Sequence, residues 1–405
     1  MPAPRRILLG AFGDPGHAFP IMALGAALAR RGHEVCVQTW ERWRPDVEGA
    51  GMRFAPAPEY RVFPQLGQEP LKPYEAVARA AADTVPLVRE VDPHAAVADI
   101  LTLGPALAAE LCDVPVATLI PHVDPRGEPG WPPYSSGGQP GGLLSRLAWR
   151  APNHLVARSL EAGRRELNET RARVGLPPLD HVHGGISRRL AIVASVPQLD
   201  YPRRDPFPAT HLVGPLVWET ASEPVEPPPG DGPLVLVAPS TSQDPDGRLL
   251  RAALDGLADA PVRVLAAENR TSAAATARLG RIEPPANARL VPWISYSQAM
   301  PLADAVVCHA GHGTLVRALS YGKPVIAVPA GGDMHENAAR LDWSGAGLRI
   351  PQRLVGGRVL RTAVDRVLRD PGFADRAGEI AAWIAAADPE RRACELVEEL
   401  AAAGR

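Results

Sequence analysis

The sequence predicts an α/β protein built from two doubly wound parallel sheets, one following the other. Three observations carry that prediction. Short, wholly apolar runs alternate with helix-length stretches, the pattern of a sheet covered on both faces. The alternation occurs twice in a chain of 405 residues, a length that suits two domains of ~100–200 residues each. An acidic, proline-rich segment over residues 221–233 separates the two sets, too polar and too poor in N–H donors for a sheet interior.

In the first half, Ile7, Leu8 and Leu9 form a buried strand ending at Gly10. Ile21, Leu24 and Leu28 recur at helical spacing within residues 20–31, and Gly32 stops that helix. Residues 34–39 give the next strand and complete a strand–helix–strand unit. Residues 97–99, 114–117, 192–194 and 211–213 read as further strands. The second half repeats the pattern with strands at 234–237, 262–265, 305–308 and 325–328. From Asp370 the tail is helical, with Ile380, Trp383 and Ile384 on one face. The expected divisions are a first domain over 1–218, a linker over 219–233, a second domain over 234–385 and a closing helix over 386–405.

Composition removes several classes of function. Lys and Arg number 43 against 45 Asp and Glu, a formal charge of −2, so there is no basic field for nucleic acid. Aromatics are 5%, too few for a single-strand stacking platform. No apolar run approaches the ~18 residues of a membrane helix, and residues 7–12, broken by Gly10, are too short for a signal-peptide core. Cys36, Cys112, Cys308 and Cys394 are widely spaced and form neither a disulfide framework nor a zinc pattern. The expectation is a cytoplasmic protein acting on small molecules, with no nucleic acid or membrane partner and with room for a homodimer.

The most informative motif follows the strand at 305–308. His309-Ala310-Gly311-His312-Gly313-Thr314 leads into a helix expected over 315–321. A strand, a glycine-rich turn and a helix N-terminus together form an anion site, because free N–H groups and the positive end of the dipole both face the ligand. Gly311 and Gly313 let a backbone approach a phosphate closely, while Thr314 and His309 donate from their side chains. The competing reading is a tight turn with incidental histidines. Ser240, Thr241 and Ser242 follow the first strand of the same domain and are placed to touch phosphate; Asp244-Pro245-Asp246 reads as a turn and helix start in preference to a metal pair.

A second glycine-rich turn, Gly13-Asp14-Pro15-Gly16-His17, lies between the first strand and first helix. Gly10, Gly13 and Gly16 have the wrong spacing for a dinucleotide fingerprint. His17, however, opens a helix at the C-terminal end of a strand, where open α/β sheets bind ligands. Its ordinary pKa of ~6.5 suits a general base, and Asp99, ending a strand at the same sheet edge, can hold its other nitrogen. Read alone, His17 is more often a helix-cap histidine than a catalyst. A third motif, Gly331-Gly332-Asp333-Met334-His335-Glu336-Asn337, pairs Asp333 with Glu336 as a capping box. The alternative has Asp333 face the crevice and accept hydrogen bonds from a bound sugar. Neither a P-loop nor an HExxH motif occurs.

Together HAGHGT at 309–314, GKPVIAVP at 322–329, GDMHENAAR at 332–340 and GDPGHAFP at 13–20 resemble the bacterial antibiotic and macrolide glycosyltransferases, relatives of the UDP-glycosyltransferases. The resemblance covers nearly the whole chain. It implies the GT-B arrangement of two Rossmann-like domains facing across a cleft, and an inverting, metal-independent transfer from a dTDP or UDP sugar with no cofactor. It implies His17 as general base with Asp99, a diphosphate site at Ser240, Thr241, His309, Gly311, Gly313 and Thr314, and a nucleobase flanked by Trp293 and Ile294. The acceptor is then an apolar natural product in the first domain, against Gly16, Tyr60, Phe63, His122, Trp131 and Tyr134. The chain departs from the family twice. Arg317 stands where many members carry the ribose-binding Glu, and Asp333-Met334 where many carry Asp-Gln for the donor sugar. A thioether cannot replace an amide's hydrogen bonds, which points to a deoxyhexose. The alternatives are a nucleotide-sugar epimerase or hydrolase of similar architecture, and a catalytically silent partner that binds nucleotide sugar.

Overall fold

The computed structural model describes residues 3–58, 73–204, 207–220, 225–240, 244, 246–269 and 278–404. The first sheet contains β1 (Arg6–Gly10), β2 (Glu34–Thr39), β3 (Arg53–Pro56), β4 (Ala95–Asp99), β5 (Val116–Ile120), β6 (Ala191–Val193) and β7 (Thr210–Leu212). Its order is β3-β2-β1-β4-β5-β6-β7, with every pairing parallel. Helices α1 (Pro15–Arg30), α2 (Arg44–Gly49), α3 (Pro73–Val91), α4 (Leu103–Leu111), α5 (Leu143–Ala148) and α6 (Arg150–Val174) connect these strands. The second sheet contains β8 (Leu234–Ala238), β9 (Arg263–Ala267), β10 (Ala288–Val291), β11 (Ala305–Cys308), β12 (Val325–Ala327) and β13 (Gly347–Arg349). Its order is β10-β9-β8-β11-β12-β13, again parallel throughout. Its helices are α7 (Arg248–Leu257), α8 (Tyr296–Ala299), α9 (His312–Ser320), α10 (Met334–Ser344), α11 (Gly357–Arg369), α12 (Pro371–Ala387) and α13 (Pro389–Ala402).

Each sheet reverses its strand order once, between β1 and β4 and between β8 and β11. Crevices at such reversals, at the C-terminal strand ends, are where doubly wound sheets take ligands. The central strands are buried on both faces: Leu8 and Leu9, on opposite sides of β1, are both wholly inaccessible. Strands β3, β10 and β13 lack that apolar signal. They lie at or next to sheet edges and carry Arg53, Arg289 and Arg349, charges that an edge tolerates and a centre does not.

Two helices begin earlier than periodicity predicts. Helix α1 starts at Pro15 and not at residue 20, since a proline at the first position has its φ preset and no N–H to satisfy; Pro20 lies inside it. Helix α9 starts at His312 and not at 315. Both shifts place a motif histidine in the first turn of a helix. The tail from Asp370 is two helices, broken at Asp388, whose φ is +49° and whose carboxylate accepts from the Arg391 N–H at 3.4 Å. Helix α13 runs back to the first domain. There Cys394, Val397 and Leu400 share a core with Ile21, Leu24 and Leu28 of α1, and Arg31 Nε donates to Glu398 at 2.6 Å.

Candidate active site

The register of β1 against β4 sets Gly10 beside Ala98, so the turn after β1 and the last residue of β4 meet at the sheet's reversal. His17, in the first turn of α1, donates from Nδ1 to Asp99 Oδ1 at 2.7 Å. The other carboxylate oxygen accepts from Leu101 N at 3.3 Å and Thr102 Oγ1 at 3.2 Å. Asp99 has no exposed side-chain surface, whereas 19% of the His17 side chain is exposed. The buried acid is therefore fixed from both sides and the ring keeps Nε2 as an acceptor. Burial alone would depress the imidazole. The hydrogen bond and charge of Asp99 outweigh it, with Asp14 and Asp333 adding, so His17 titrates above the ordinary histidine value.

A second histidine faces this dyad. His122 stands with its ring centroid 6.2 Å from that of His17. Its Nδ1 donates to Val123 O at 2.8 Å and lies 3.3 Å from the Tyr134 hydroxyl. Burial, above all, lowers its pKa. Of the other residues expected around an acceptor, Tyr60 and Phe63 lie outside the described residues. Gly16 has nothing within 4 Å of where a Cβ would stand. Trp131 stands at the seam between domains, edge-on to Tyr201 at 5.4 Å, and Tyr201 in turn lies edge-on to Trp343 at 5.4 Å. Arg203 lies over the indole of Trp131, which stays partly exposed.

In the second domain, Ala310 adopts φ +58° at the end of β11. This left-handed residue bends the chain so that the His309 ring turns in under the sheet. His309 Nδ1 donates to Val328 O at 2.6 Å, and both His309 and Asp244 side chains are only 2% exposed. Gly311 and Gly313 have no fold reason to be glycine: neither has a positive φ, and a Cβ on either would meet nothing within 4 Å. The open space lies directly before the first turn of α9, whose N–H groups have no intrahelical partner. Thr314 and Ser240 are half-buried, and Thr241 lies outside the described residues.

Of the residues expected near the nucleobase and ribose, two are engaged within the fold. Ile294 is 3% exposed and packs in the core with Met300 and Leu315. Arg317 is half-buried, and its guanidinium is engaged: it donates to Trp218 O at the end of the first domain and pairs with Glu219, 3.5 Å away, at the start of the linker. Trp293 is 42% exposed and is the one of the three with a free face.

The capping box expected at Asp333 and Glu336 does not form. Asp333 makes no side-chain cap bond and instead accepts from Asn337 Nδ2 at 3.1 Å. Glu336 accepts from Arg340 Nε at 2.8 Å and from Ser135 N of the first domain at 3.1 Å. Met334 is the first residue of α10, partly exposed beside Asp333. Domain-to-domain bonds are numerous here. Arg340 donates to Asp200 Oδ1 at 2.6 Å, Gln139 Nε2 to Asp342 Oδ2 at 2.9 Å, and His312 Nε2 to Ala194 O at 3.2 Å. Burial pushes His312 down to about 4, so it is a neutral strut. Glu336, Arg340, Asp200 and Gln139 carry no local sequence signal as a group, because their contacts join residues some 140–200 positions apart.

Among the described residues no group of three or more His, Cys, Asp or Glu side chains is gathered to hold a metal, and no helix is long and apolar enough to cross a membrane. Comparison with known proteins adds the following. Residues 254–402 match the family model described as Erythromycin biosynthesis protein CIII-like, C-terminal domain. The chain is 30% identical to 4'-demethylrebeccamycin synthase of Lentzea aerocolonigenes, with 98% of this chain and 99% of that protein covered. It is 29% identical to O-mycaminosyltylonolide 6-deoxyallosyltransferase of Streptomyces fradiae, over 98% and 97% of the two chains. The solved structure of the glycosyltransferase VinC in complex with dTDP superposes with a TM-score of 0.71 at 21% identity, covering 98% of this chain and all of that one.

Proposed function

The chain belongs to the bacterial antibiotic and macrolide glycosyltransferases of the GT-B fold, and from that premise we propose how it transfers its sugar. A hexose moves from a dTDP or UDP donor to a hydroxyl of an apolar natural-product acceptor, with inversion at the anomeric carbon. His17 Nε2 takes the proton from the acceptor hydroxyl as its oxygen attacks that carbon. The bond to the donor phosphate breaks, and its electron pair leaves with the diphosphate. Asp99 holds the ring in the required tautomer and stabilises the imidazolium that forms, the role of the acid in a Ser-His-Asp triad. His309 and the N–H groups at the start of α9 meet the charge gathering on the diphosphate; preorganised donors of this kind are worth roughly 3 kcal/mol each. Asp333, within electrostatic reach of His17, takes the sugar hydroxyls. The reaction so described calls on no metal and no cofactor. Four free cysteines suit a reducing, cytoplasmic location.

The observation that carries this reading is the 2.7 Å His17–Asp99 bond at the reversal of the first sheet. Two features favour a dTDP-deoxyhexose: Met334 beside Asp333, and relatives whose names and ligands include a 6-deoxyallosyl group and dTDP. The test is His17→Ala, which is expected to lower turnover roughly 10²–10⁴-fold while nucleotide diphosphate binding is unchanged. The product of the wild-type enzyme should carry the anomeric configuration opposite to that of the donor. Wild-type turnover by the variant, or a retained configuration, would remove the reading.

A further inference from the structure

His122 brings to the dyad a group that the proposed reaction leaves idle. It follows β5, the strand beside β4. Its half-exposed ring stands at 82° to that of His17, with the centroids 6.2 Å apart. The roles of its nitrogens follow from their neighbours. Nδ1 lies 2.8 Å from Val123 O, and a carbonyl can only accept, so Nδ1 carries a proton. The Tyr134 hydroxyl, 3.3 Å from the same nitrogen, shares that N–H. Burial lowers the pKa of the ring and the charge of His17 acts in the same direction, together outweighing the Val123 carbonyl, Asp333 and Asp99. The ring is therefore neutral, and its Nε2 keeps a lone pair that no described residue meets. His17, whose Nδ1 donates to Asp99, also presents Nε2 as an acceptor. Two unprotonated imidazole nitrogens thus stand at one sheet edge.

We propose that His122 is a specificity-determining residue: its Nε2 accepts a hydrogen bond from a second hydroxyl beside the one that is glycosylated, so that the acceptor class is a vicinal diol or catechol. This rests on the reading of His17 as the base, and it names the class of molecule that the base meets. The reacting hydroxyl has one proton, and that proton goes to His17. It has none left for His122, so the second nitrogen needs a second donor. With the ring centres 6.2 Å apart, two hydrogen bonds of ordinary length, ~2.8 Å, reach a pair of oxygens that lie close together, as on adjacent carbons. The second hydroxyl keeps its proton throughout. An apolar alcohol with a single hydroxyl would instead cover the Nε2 lone pair and leave it unpaired, which is unfavourable. The sugar is provided for elsewhere, since His122 belongs to the first domain and Asp333 takes the sugar hydroxyls in the proposed reaction.

The experiment measures kcat/KM for umbelliferone and esculetin, coumarins that differ by one hydroxyl beside the reacting one, with dTDP-glucose and UDP-glucose as donors. Wild type should favour esculetin. In His122→Phe, which keeps a ring but no lone pair, the esculetin-to-umbelliferone ratio should fall roughly three- to tenfold, the worth of one net hydrogen bond. Comparing ratios cancels the difference in intrinsic reactivity between the two phenols. His122→Gln offers an amide oxygen in place of Nε2 and should keep part of the ratio; it also serves if His122→Phe does not fold. A purely structural role would lower both rates and the Tm and leave the ratio alone, so an unchanged ratio overturns the proposal. A wild type without a preference for esculetin, including one that glycosylates neither coumarin, overturns it too. Weaker binding of UDP-glucose by His122→Phe, with binding of UDP unchanged, would assign the histidine to the donor sugar and overturn it likewise. None of these outcomes alters what His17→Ala reports, so the failure of this inference and the failure of the base are read in different variants.

Discussion

The two glycine-rich turns, residues 10–17 and 309–314, are the same device in each domain: a central strand and a tight turn leading into a helix, with a histidine at the junction (His17 in the first turn of α1, His309 just before α9). They differ in what their glycines and histidines answer to. At the first turn the fold itself demands glycine at two of three positions, Gly16 being free. A Cβ on Gly13 would stand 2.0 Å from the Trp40 ring and one on Gly10 2.8 Å from Pro105. At the second, Cβ atoms on Gly311 and Gly313 would enter open space. The histidines divide likewise. His17 is tied to a side-chain acid and keeps an exposed edge, an arrangement for passing a proton; His309 is tied to a backbone carbonyl and is almost wholly buried, an arrangement for holding still. Two turns with one topology are thus told apart by whether packing accounts for their glycines.

The largest expected effect tests the division between the histidines. His17→Ala should lose roughly 10²–10⁴ in turnover with donor affinity spared. His309→Ala should lose both affinity and turnover, because the diphosphate gains charge as it leaves. Single-turnover rates and nucleotide diphosphate affinities for the pair separate the two. Identical profiles would mean that both histidines serve one step.

The glycines come next. Gly13→Ala forces Trp40 aside and should cost ~1–3 kcal/mol of stability, the usual toll of overpacking, read as a fall in Tm. Gly313→Ala should leave the stability within ~0.5 kcal/mol of wild type, as for a substitution that touches nothing, yet weaken binding of a nucleotide diphosphate. Should Gly313→Ala bind normally, the open space before α9 is not where the phosphates lie.

Much of this was legible before the fold was known, and the reason is local. A strand buried on both faces must be apolar along its length, so the central strands announce themselves, and glycines in a strand-to-helix turn mark a crevice wherever it lies. The edge strands β3, β10 and β13 are silent because an edge tolerates arginine. Asp333 and Glu336 have the spacing of a capping box, but Ser135 and Arg340 outbid the local N–H groups. Arg317 and Ile294 sit in a family's binding positions, yet the linker holds one and the core the other. Asp244 reads correctly as a helix start, while its second partner, His309, lies 65 positions further on, a pairing only the assembled sheet creates. Periodicity and turn chemistry survive reading in one dimension; partners chosen across the sheet do not.

Met334 gives a smaller but specific effect on donor choice. In the proposed role of Asp333 as acceptor for the sugar hydroxyls, a hydroxyl facing the Met334 thioether would lack a partner, at ~1–3 kcal/mol. A deoxyhexose omits that hydroxyl. Wild type should therefore prefer a dTDP-deoxyhexose to UDP-glucose in kcat/KM, and Met334→Gln should move the preference toward glucose. Neither change touches His17, so the pH profile should stay put. A wild-type preference for UDP-glucose would mean that Glu336, Asn337 or a water completes the set.

The smallest expected effect lies in the pH profile and tests what sets the first histidine apart, its tie to a buried carboxylate. A general base must be unprotonated, so kcat/KM rises with pH through the His17 pKa of the free enzyme. Asp99 lifts that pKa above the ordinary ~6.5, which places the acidic limb on the alkaline side of free histidine. In Asp99→Asn the carboxylate's contribution is gone and burial, which acts downward, dominates. The limb should therefore move to lower pH even as the plateau falls. A fall in the plateau with an unmoved limb would mean that Asp99 only orients the ring. A limb that moved upward would mean that Asp99 does not raise the His17 pKa, and the two turns would then differ less in their electrostatics than in their glycines.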